Sequence, residues 1–192
     1  MQNLTRLAAA SAGIHTADQI AVAAVPLIAA VAFHASPETI GILVACQSLA
    51  HLLGSVPSGL IVDRIPARQV ATAAALISAT GFAVAAFSVA TVQIASFGAA
   101  VTLAGFGIVL FVLASLSIIP LIVEVSGIPA ANSKVEMARA LPFFAAPLCV
   151  GLLAGQGPAA FLMMLALLAS ITSFAAASGL PRLEIQPPKK AP

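Results

Sequence analysis

Tryptophan and tyrosine are absent from this sequence, and charged side chains are rare. Only 7% of the residues are charged and 61% are hydrophobic, whereas soluble domains have about 25% charged and roughly 45–50% apolar residues. So few charges cannot cover the surface of a soluble protein of this length, and the exterior must therefore contact lipid. The composition predicts an integral membrane protein.

Two further shortages exclude other classes of function. The formal charge is only +2, no Lys/Arg block is present, and no Tyr or Trp is available to stack on bases, so nucleic acid is not an expected partner. The two cysteines, Cys46 and Cys149, lie far apart within apolar runs, and no Cys/His cluster has metal-ligand spacing. We predict no disulfide, no metal site and no cofactor.

The long apolar runs set the number of membrane crossings. A helix needs about 20 apolar residues to cross a hydrocarbon core roughly 30 Å thick. Division of the chain at its polar and Pro/Gly-rich clusters leaves six runs of about this size, at 7–33, 39–62, 70–90, 94–123, 136–155 and 159–178. A polar, proline-rich tail follows at 181–192. The sequence therefore predicts an all-α bundle of six transmembrane helices.

The basic residues predict the orientation of these helices. All of them fall on one side of the predicted topology: Arg6, Arg64, Arg68, Lys134, Arg139, Arg182, Lys189 and Lys190. Loops rich in Lys and Arg stay on the cytoplasmic side of a membrane. We expect a multi-pass protein of the cytoplasmic (inner) cell membrane with both termini in the cytoplasm.

Polar residues form a stripe on each of the first two predicted helices. Asp18 lies about 16 Å along the first helix when counted from Leu7, and His15 shares its face. On the second helix, the spacing of 4, 4 and 3 residues places Gln47, His51, Ser55 and Ser58 on one face. A carboxylate at mid-membrane costs roughly 2.5–3.5 kcal/mol on insertion scales, so its presence indicates a function.

Two interpretations of these stripes remain open. In the first, Asp18, His15, Gln47 and His51 line a water-accessible cavity, where Asp18 carries a proton or contacts a cationic substrate and a histidine relays the proton. In the second, Asp18 is protonated or hydrogen-bonded within the bundle, and the histidines only bridge helices.

The turn between the second and third helices carries the most specific motif. It reads Gly59-Leu60-Ile61-Val62-Asp63-Arg64-Ile65-Pro66-Ala67-Arg68. This turn resembles the signature loop of the major facilitator superfamily, Gly-x-x-x-Asp-Arg-x-Gly-Arg-(Arg/Lys), which that family has at the same place. The matching residues are Gly59, Asp63, Arg64 and Arg68, while Pro66 replaces the usual Gly and Ala67 the usual basic residue.

A looser resemblance to exporter-type members runs from Pro120 and Glu124 through Arg139-Ala140-Leu141 to Pro147 and Gly151. The family's arginine motif on the fourth helix is missing, because 97–123 contains no basic residue.

The resemblance implies a fold and an activity. It implies the N-terminal half of the family fold, with two inverted three-helix units and a substrate site at the midplane between two halves. It also implies a secondary transporter, with proton-coupled export of small apolar or cationic molecules and a gating role for the signature loop. The bundle would pair with a second six-helix half or with a second copy of itself.

Other classes of protein remain open at this point. A truncated or accessory bundle without transport activity is the main alternative. An intramembrane enzyme would need a Ser/His, paired-Asp or metal-binding set, which the sequence does not provide, and we therefore expect no enzymatic activity.

Overall fold

The computed structural model describes residues 1–181, and this part of the chain is helical without a β-strand. Six α-helices follow one another, and a short 3-10 turn at Val125–Gly127 precedes the fifth. They are α1 (Gln2–Val31), α2 (Pro37–Val62), α3 (Ala67–Ala90), α4 (Ile94–Ile122), α5 (Ile128–Leu153) and α6 (Ala160–Ser178). The prediction of an all-α six-helix bundle is confirmed.

Five of the helical segments are long and apolar enough to cross a membrane, namely α1, α3, α4, α6 and Val125–Leu153, which contains α5. The remaining helix, α2, has 26 residues and lies beside α4. Leu43 is close to Gly98, Ala50 to Gly105, and Gly54 to Phe106. Along these contacts the residue numbers of α2 and of α4 increase together. Helix α2 therefore runs parallel to α4 and covers the same depth of the bundle.

The helix pairing shows an internal symmetry. The main contacts join α1 to α5 and α6, α4 to α2 and α3, and α3 to α6. Exchange of α1 with α4, α2 with α5 and α3 with α6 leaves this set of pairs unchanged. Because successive helices alternate in direction, α1 and α4 point in opposite directions. The two three-helix units are therefore related as inverted repeats, as the resemblance implies.

Glycines allow the closest helix contacts. A Cβ added at Gly13 of α1 would lie 2.8 Å from the backbone oxygen of Ala169 in α6. In the α3–α4 interface, a Cβ at Gly81 or Gly107 would lie 2.7 Å from a backbone atom of the opposite helix. We call α1, α3, α4 and α6 the inner helices, and α2 and α5 the outer helices. Close backbone approach favours helix association in lipid, where van der Waals packing replaces the hydrophobic effect.

Two arginines connect three inner helices at one end of the bundle, which we call the basic end. Arg6 of α1 donates to the backbone oxygen of Gly179, and Arg68 Nη2 of α3 donates to that of Ser178 at 2.6 Å. Both acceptors lie at the C-terminus of α6, where carbonyls lack helical partners and the helix dipole attracts cations.

Helix ends do not define the membrane boundaries, so the predicted spans stay predictions. The largest offset is in α5, which begins at Ile128 rather than at the predicted residue 136. Its first turns are helical although they contain polar residues such as Asn132 and Lys134. Of the predicted tail, 182–192 lies outside the described residues.

Candidate functional site

Asp18 and His51 meet between α1 and α2. Asp18 Oδ1 lies 3.4 Å from His51 Nε2, and Asp18 is only 9% exposed. Asp18 is about 24 Å from the start of a helix that is about 45 Å long, so it lies near the middle of α1. The contact is longer than an ideal hydrogen bond of about 2.9 Å, but it is within the range of an ion pair.

Two more polar groups fix this pair. Gln19 Nε2 donates a hydrogen bond to Asp18 Oδ2 at 3.3 Å. His51 Nδ1 lies 3.0 Å from the backbone oxygen of Gln47, one turn earlier in α2. Gln47 itself is 7% exposed, and it contributes its carbonyl to the cluster. The structure therefore brings together three residues that the sequence selected, Asp18, Gln47 and His51.

The Gln47 carbonyl determines which nitrogen of His51 carries a hydrogen. A carbonyl oxygen only accepts hydrogen bonds, so Nδ1 must be the donor. In a neutral imidazole, Nε2 then presents a lone pair toward the carboxyl group of Asp18. Two acceptors repel each other unless a proton lies between them, either on Asp18 or on His51 Nε2. A single proton between the two groups would join them by a hydrogen bond.

His15 lies with a different set of residues. It is 7% exposed and lines a cavity of about 280 Å³ between α1 and α5. The other lining residues are Glu136, Arg139, Ala140, Phe143 and Phe144. Arg139 Nη1 donates to Glu136 Oε1 at 2.6 Å. His15 and Asp18 are three residues apart on α1, but the first lines the cavity beside α5 and the second contacts α2.

Glu136, Arg139 and Gln19 were not among the site residues predicted from the sequence. Arg139 was used to mark the cytoplasmic side and as part of the exporter-type resemblance, and the fifth predicted span began at residue 136. One available signal was the spacing of Glu136 and Arg139, since opposite charges three residues apart on a helix form an ion pair. Gln19 gave no such signal, because it lies next to Asp18 and its amide reaches the carboxylate only through the side-chain conformation.

The signature loop has a defined conformation between α2 and α3. The Asp63 amide donates to Gly59 O at 3.1 Å and ends α2, while Pro66 precedes the first residue of α3. Asp63 and Arg64 are exposed, and their side chains form no hydrogen bond or ion pair within residues 1–181. A Cβ at Gly59 would meet no atom of the described chain within 4 Å. No helix within the described residues packs closely against this glycine.

The comparison with protein families agrees with this fold. A family model of the Major Facilitator Superfamily matches residues 7–192. No curated protein matches the chain. The match includes α1 from residue 7 onward, the other five helices, the Asp18–His51 pair and the signature loop. The chain is therefore a multi-pass membrane protein that belongs to the Major Facilitator Superfamily, a family of membrane transporters.

Proposed function

We propose that this chain forms a secondary active transporter unit that exports small apolar or cationic molecules in exchange for protons. The observation that carries the proposal is the Asp18–His51 pair, in which the carboxylate faces an imidazole nitrogen at 3.4 Å. An ionisable pair near the middle of a transmembrane helix is costly and typically marks a proton or substrate pathway.

Exchange follows from competition for the carboxylate of Asp18. Without the shared proton, the pair carries a negative charge that attracts a cation. Addition of one proton neutralises the pair, so the attraction is lost and the cation leaves. The pair binds either the proton or the cation, but not both at once. A proton gradient therefore drives the cation in the opposite direction. His51 is the proton partner in this scheme, and its bond to Gln47 fixes its orientation.

The signature loop is the proposed gate. Asp63 and Arg64 are exposed at the basic end, and Arg68 fixes the start of α3 to the end of α6. We place the basic end in the cytoplasm and both termini on that side of the inner membrane, because basic loops remain there. Arg64 is then positioned to contact anionic lipid or a second unit.

Alternating access requires two units that rock around one site. The outer helices present large apolar side chains on their exposed faces, including Leu49 and Leu52 on α2 and Leu141 and Leu148 on α5. We propose that a second six-helix unit, either another half or another copy of this chain, completes the substrate site. The alternative is an accessory bundle without transport activity, in which the polar contacts of Asp18 only hold helices together.

A vesicle assay separates these functions. The full chain is reconstituted, a pH gradient is imposed, and the flux of a fluorescent organic cation is measured. We expect gradient-driven flux in the wild type and its loss in Asp18→Asn, which cannot exchange the proton. Glu38→Gln is the matched control, because it makes the same chemical change at an exposed position in the first turn of α2 and should retain the flux.

Each outcome has a distinct meaning. Flux in Asp18→Asn equal to that of the wild type would exclude the coupling role of this carboxylate. Absence of flux in the wild type, with correct insertion and folding, would exclude a transporter built from copies of this chain alone and would favour either a separate second half or the accessory function.

A further inference from the structure

A groove runs along the outside of the α2–α4 pair, in the half of the bundle opposite the basic end. Its volume is about 540 Å³, and it is lined by residues of 39–46 on α2 and of 94–106 on α4. We propose that this groove binds one acyl chain of a membrane phospholipid. The inference rests on the membrane location of the chain and not on proton exchange, so it goes beyond the proposed function.

The groove lies on the opposite side of α2 from the Asp18–His51 pair. Successive residues of an α-helix are rotated by about 100°. Ile42, which lines the groove, lies nine residues before His51 and therefore points about 180° away from it. Between these two faces, α2 contacts α4 through Leu43 and Ala50. A second unit that completes the site must face Asp18 and His51, and it therefore leaves the groove exposed to lipid.

The position and length of the groove match one leaflet of a membrane. Arg68 is at the start of α3 at the basic end, so α2 ends there, and both α2 and the parallel α4 begin at the opposite end. The groove extends from Ile94, the first residue of α4, to Phe106, a length of about 18 Å along the helix. Half of a hydrocarbon core is about 15 Å thick. An acyl chain that reaches from the membrane surface to the midplane covers this length.

The chemistry of the lining suits an apolar ligand. Among the described residues, none that lines the groove is charged, and the hydroxyl groups are those of Thr39 and Thr102. The Thr102 hydroxyl already donates to Gly98 O at 2.7 Å, and the Cys46 thiol acts as a small hydrophobe. Thr39 lies at the open end, where its hydroxyl is 3.2 Å from Ser36 Oγ. A hydrocarbon chain therefore loses no hydrogen bond on entering, and its polar head can stay at the Thr39 end.

The shape of the groove favours a chain over a transmembrane helix. Ala95, Gly98 and Ala99 leave room along α4, and Phe106 closes the inner end against Gly54, whose added Cβ would lie 3.0 Å from the ring. A helix about 18 Å long and about 10 Å in diameter occupies roughly 1,400 Å³, well above the volume of the groove. Walls without a neighbour lose dispersion contacts, and a lipid tail can supply them.

The first experiment counts retained lipid. The full chain is released from phosphatidylcholine nanodiscs, and its bound phospholipid is counted by native mass spectrometry. We expect one phospholipid on the wild type and a fall of about tenfold in the occupied fraction of Ala99→Phe, because a ring and a chain cannot share the same space. Ala45→Phe is the matched control, since it adds the same ring at an exposed position of α2 outside the lining. Equal retention in all three proteins, or none in the wild type, would overturn the proposal.

The second experiment detects the same contact by fluorescence. The chain has no tryptophan, so Phe106→Trp places a single fluorophore in the groove. Phe174→Trp on α6 is the matched control, because Phe106 and Phe174 are 38% and 37% exposed and lie about 18 and 21 Å from the starts of their helices. Both variants are assembled in phosphatidylcholine with brominated acyl chains, which quench tryptophan on contact, and are then transferred to detergent without bromine. We expect quenching to persist at residue 106 and to disappear at residue 174.

The outcomes of the second experiment are also decisive. Equal recovery of fluorescence at both positions would contradict a retained chain. A tryptophan at residue 106 that brominated lipid does not quench in the membrane would assign the groove to another occupant, such as a second copy of this chain, and would also overturn the proposal. Ala99→Phe added to Phe106→Trp should restore the fluorescence after transfer. Neither experiment uses a pH gradient or measures flux, so its failure is distinguishable from a failure of the proposed proton exchange.

Discussion

The inner and outer helices differ in how firmly they are packed. The inner helix α1 buries side chains along most of its length, from Leu7 to Ala29. The outer helix α5 has 26 residues, and its buried ones are only Ala131, Val135, Pro142, Ala146 and Val150. Both candidate sites lie where α1 meets an outer helix, α2 on one side and α5 on the other. The polar groups thus lie beside the helices that have fewer contacts to lose on movement.

This difference in packing between inner and outer helices arises from the glycines at the helix interfaces. Gly13, Gly81 and Gly107 allow backbones of the inner helices to touch, and such contacts tolerate no added atom. In contrast, the atoms of α2 that lie nearest to Gly98 and Gly105 of α4 belong to the side chains of Leu43 and Ala50 and not to its backbone. Gly41 and Gly151 of the outer helices have open space around the position of a Cβ. We therefore expect the inner helices to hold the fold and the less tightly packed outer helices to move more easily.

The largest effect is expected where a methyl group is forced into an inner interface. Gly107→Ala would place a Cβ 2.7 Å from Ala74 O and Ser78 N, so α3 and α4 must separate. Overpacking of this kind typically costs about 1–3 kcal/mol, and we expect a clear fall in the thermal unfolding temperature in detergent. Gly151→Ala is the matched control on α5, and it should gain up to about 1 kcal/mol from helix propensity. Equal responses of the two variants would refute the distinction between inner and outer helices.

A smaller effect is expected from the arginine that joins α3 to α6. Arg68→Gln removes the hydrogen bond to Ser178 O. This carbonyl at the C-terminus of α6 then loses its donor and the nearby positive charge. We expect a loss of about 1–2 kcal/mol, the upper part of the range for a cation that contacts a helix C-terminus in a partly buried setting. Arg64→Gln is the control, since this exposed side chain has no bond within the described residues. The free energy of unfolding is measured for both variants, and an equal loss in the two would contradict the role of Arg68.

The smallest effect concerns the buried hydroxyl pair of the α3–α6 interface. Ser78 Oγ and Ser170 Oγ lie 3.1 Å apart, and both side chains are fully buried. A double-mutant cycle with Ser78→Ala and Ser170→Ala should give a coupling energy of about 0.6 kcal/mol, the average for hydrogen bonds between membrane helices. A coupling near zero would mean that packing alone holds this interface.

The sequence predicts the fold better than it predicts the site. Apolar runs and the Gly59–Arg68 loop lead to a six-helix bundle, because lipid requires every spanning segment to satisfy its own backbone as a helix. The stripes containing Asp18 and His51 were also visible, since helical periodicity fixes which side chains share a face. Periodicity does not reveal which neighbouring helix a face meets, so the grouping of His15 with Glu136 and Arg139 was not predicted.

The sequence by itself thus determined the membrane environment, the number of helices and the candidate polar residues, because these follow from composition and spacing along one chain. Only the tertiary structure decided that Asp18 faces His51 while His15 lines the cavity beside α5. The reason is that α1 lies between two outer helices. Residues one turn apart on α1 therefore contact different partners, and helix packing alone assigns those partners.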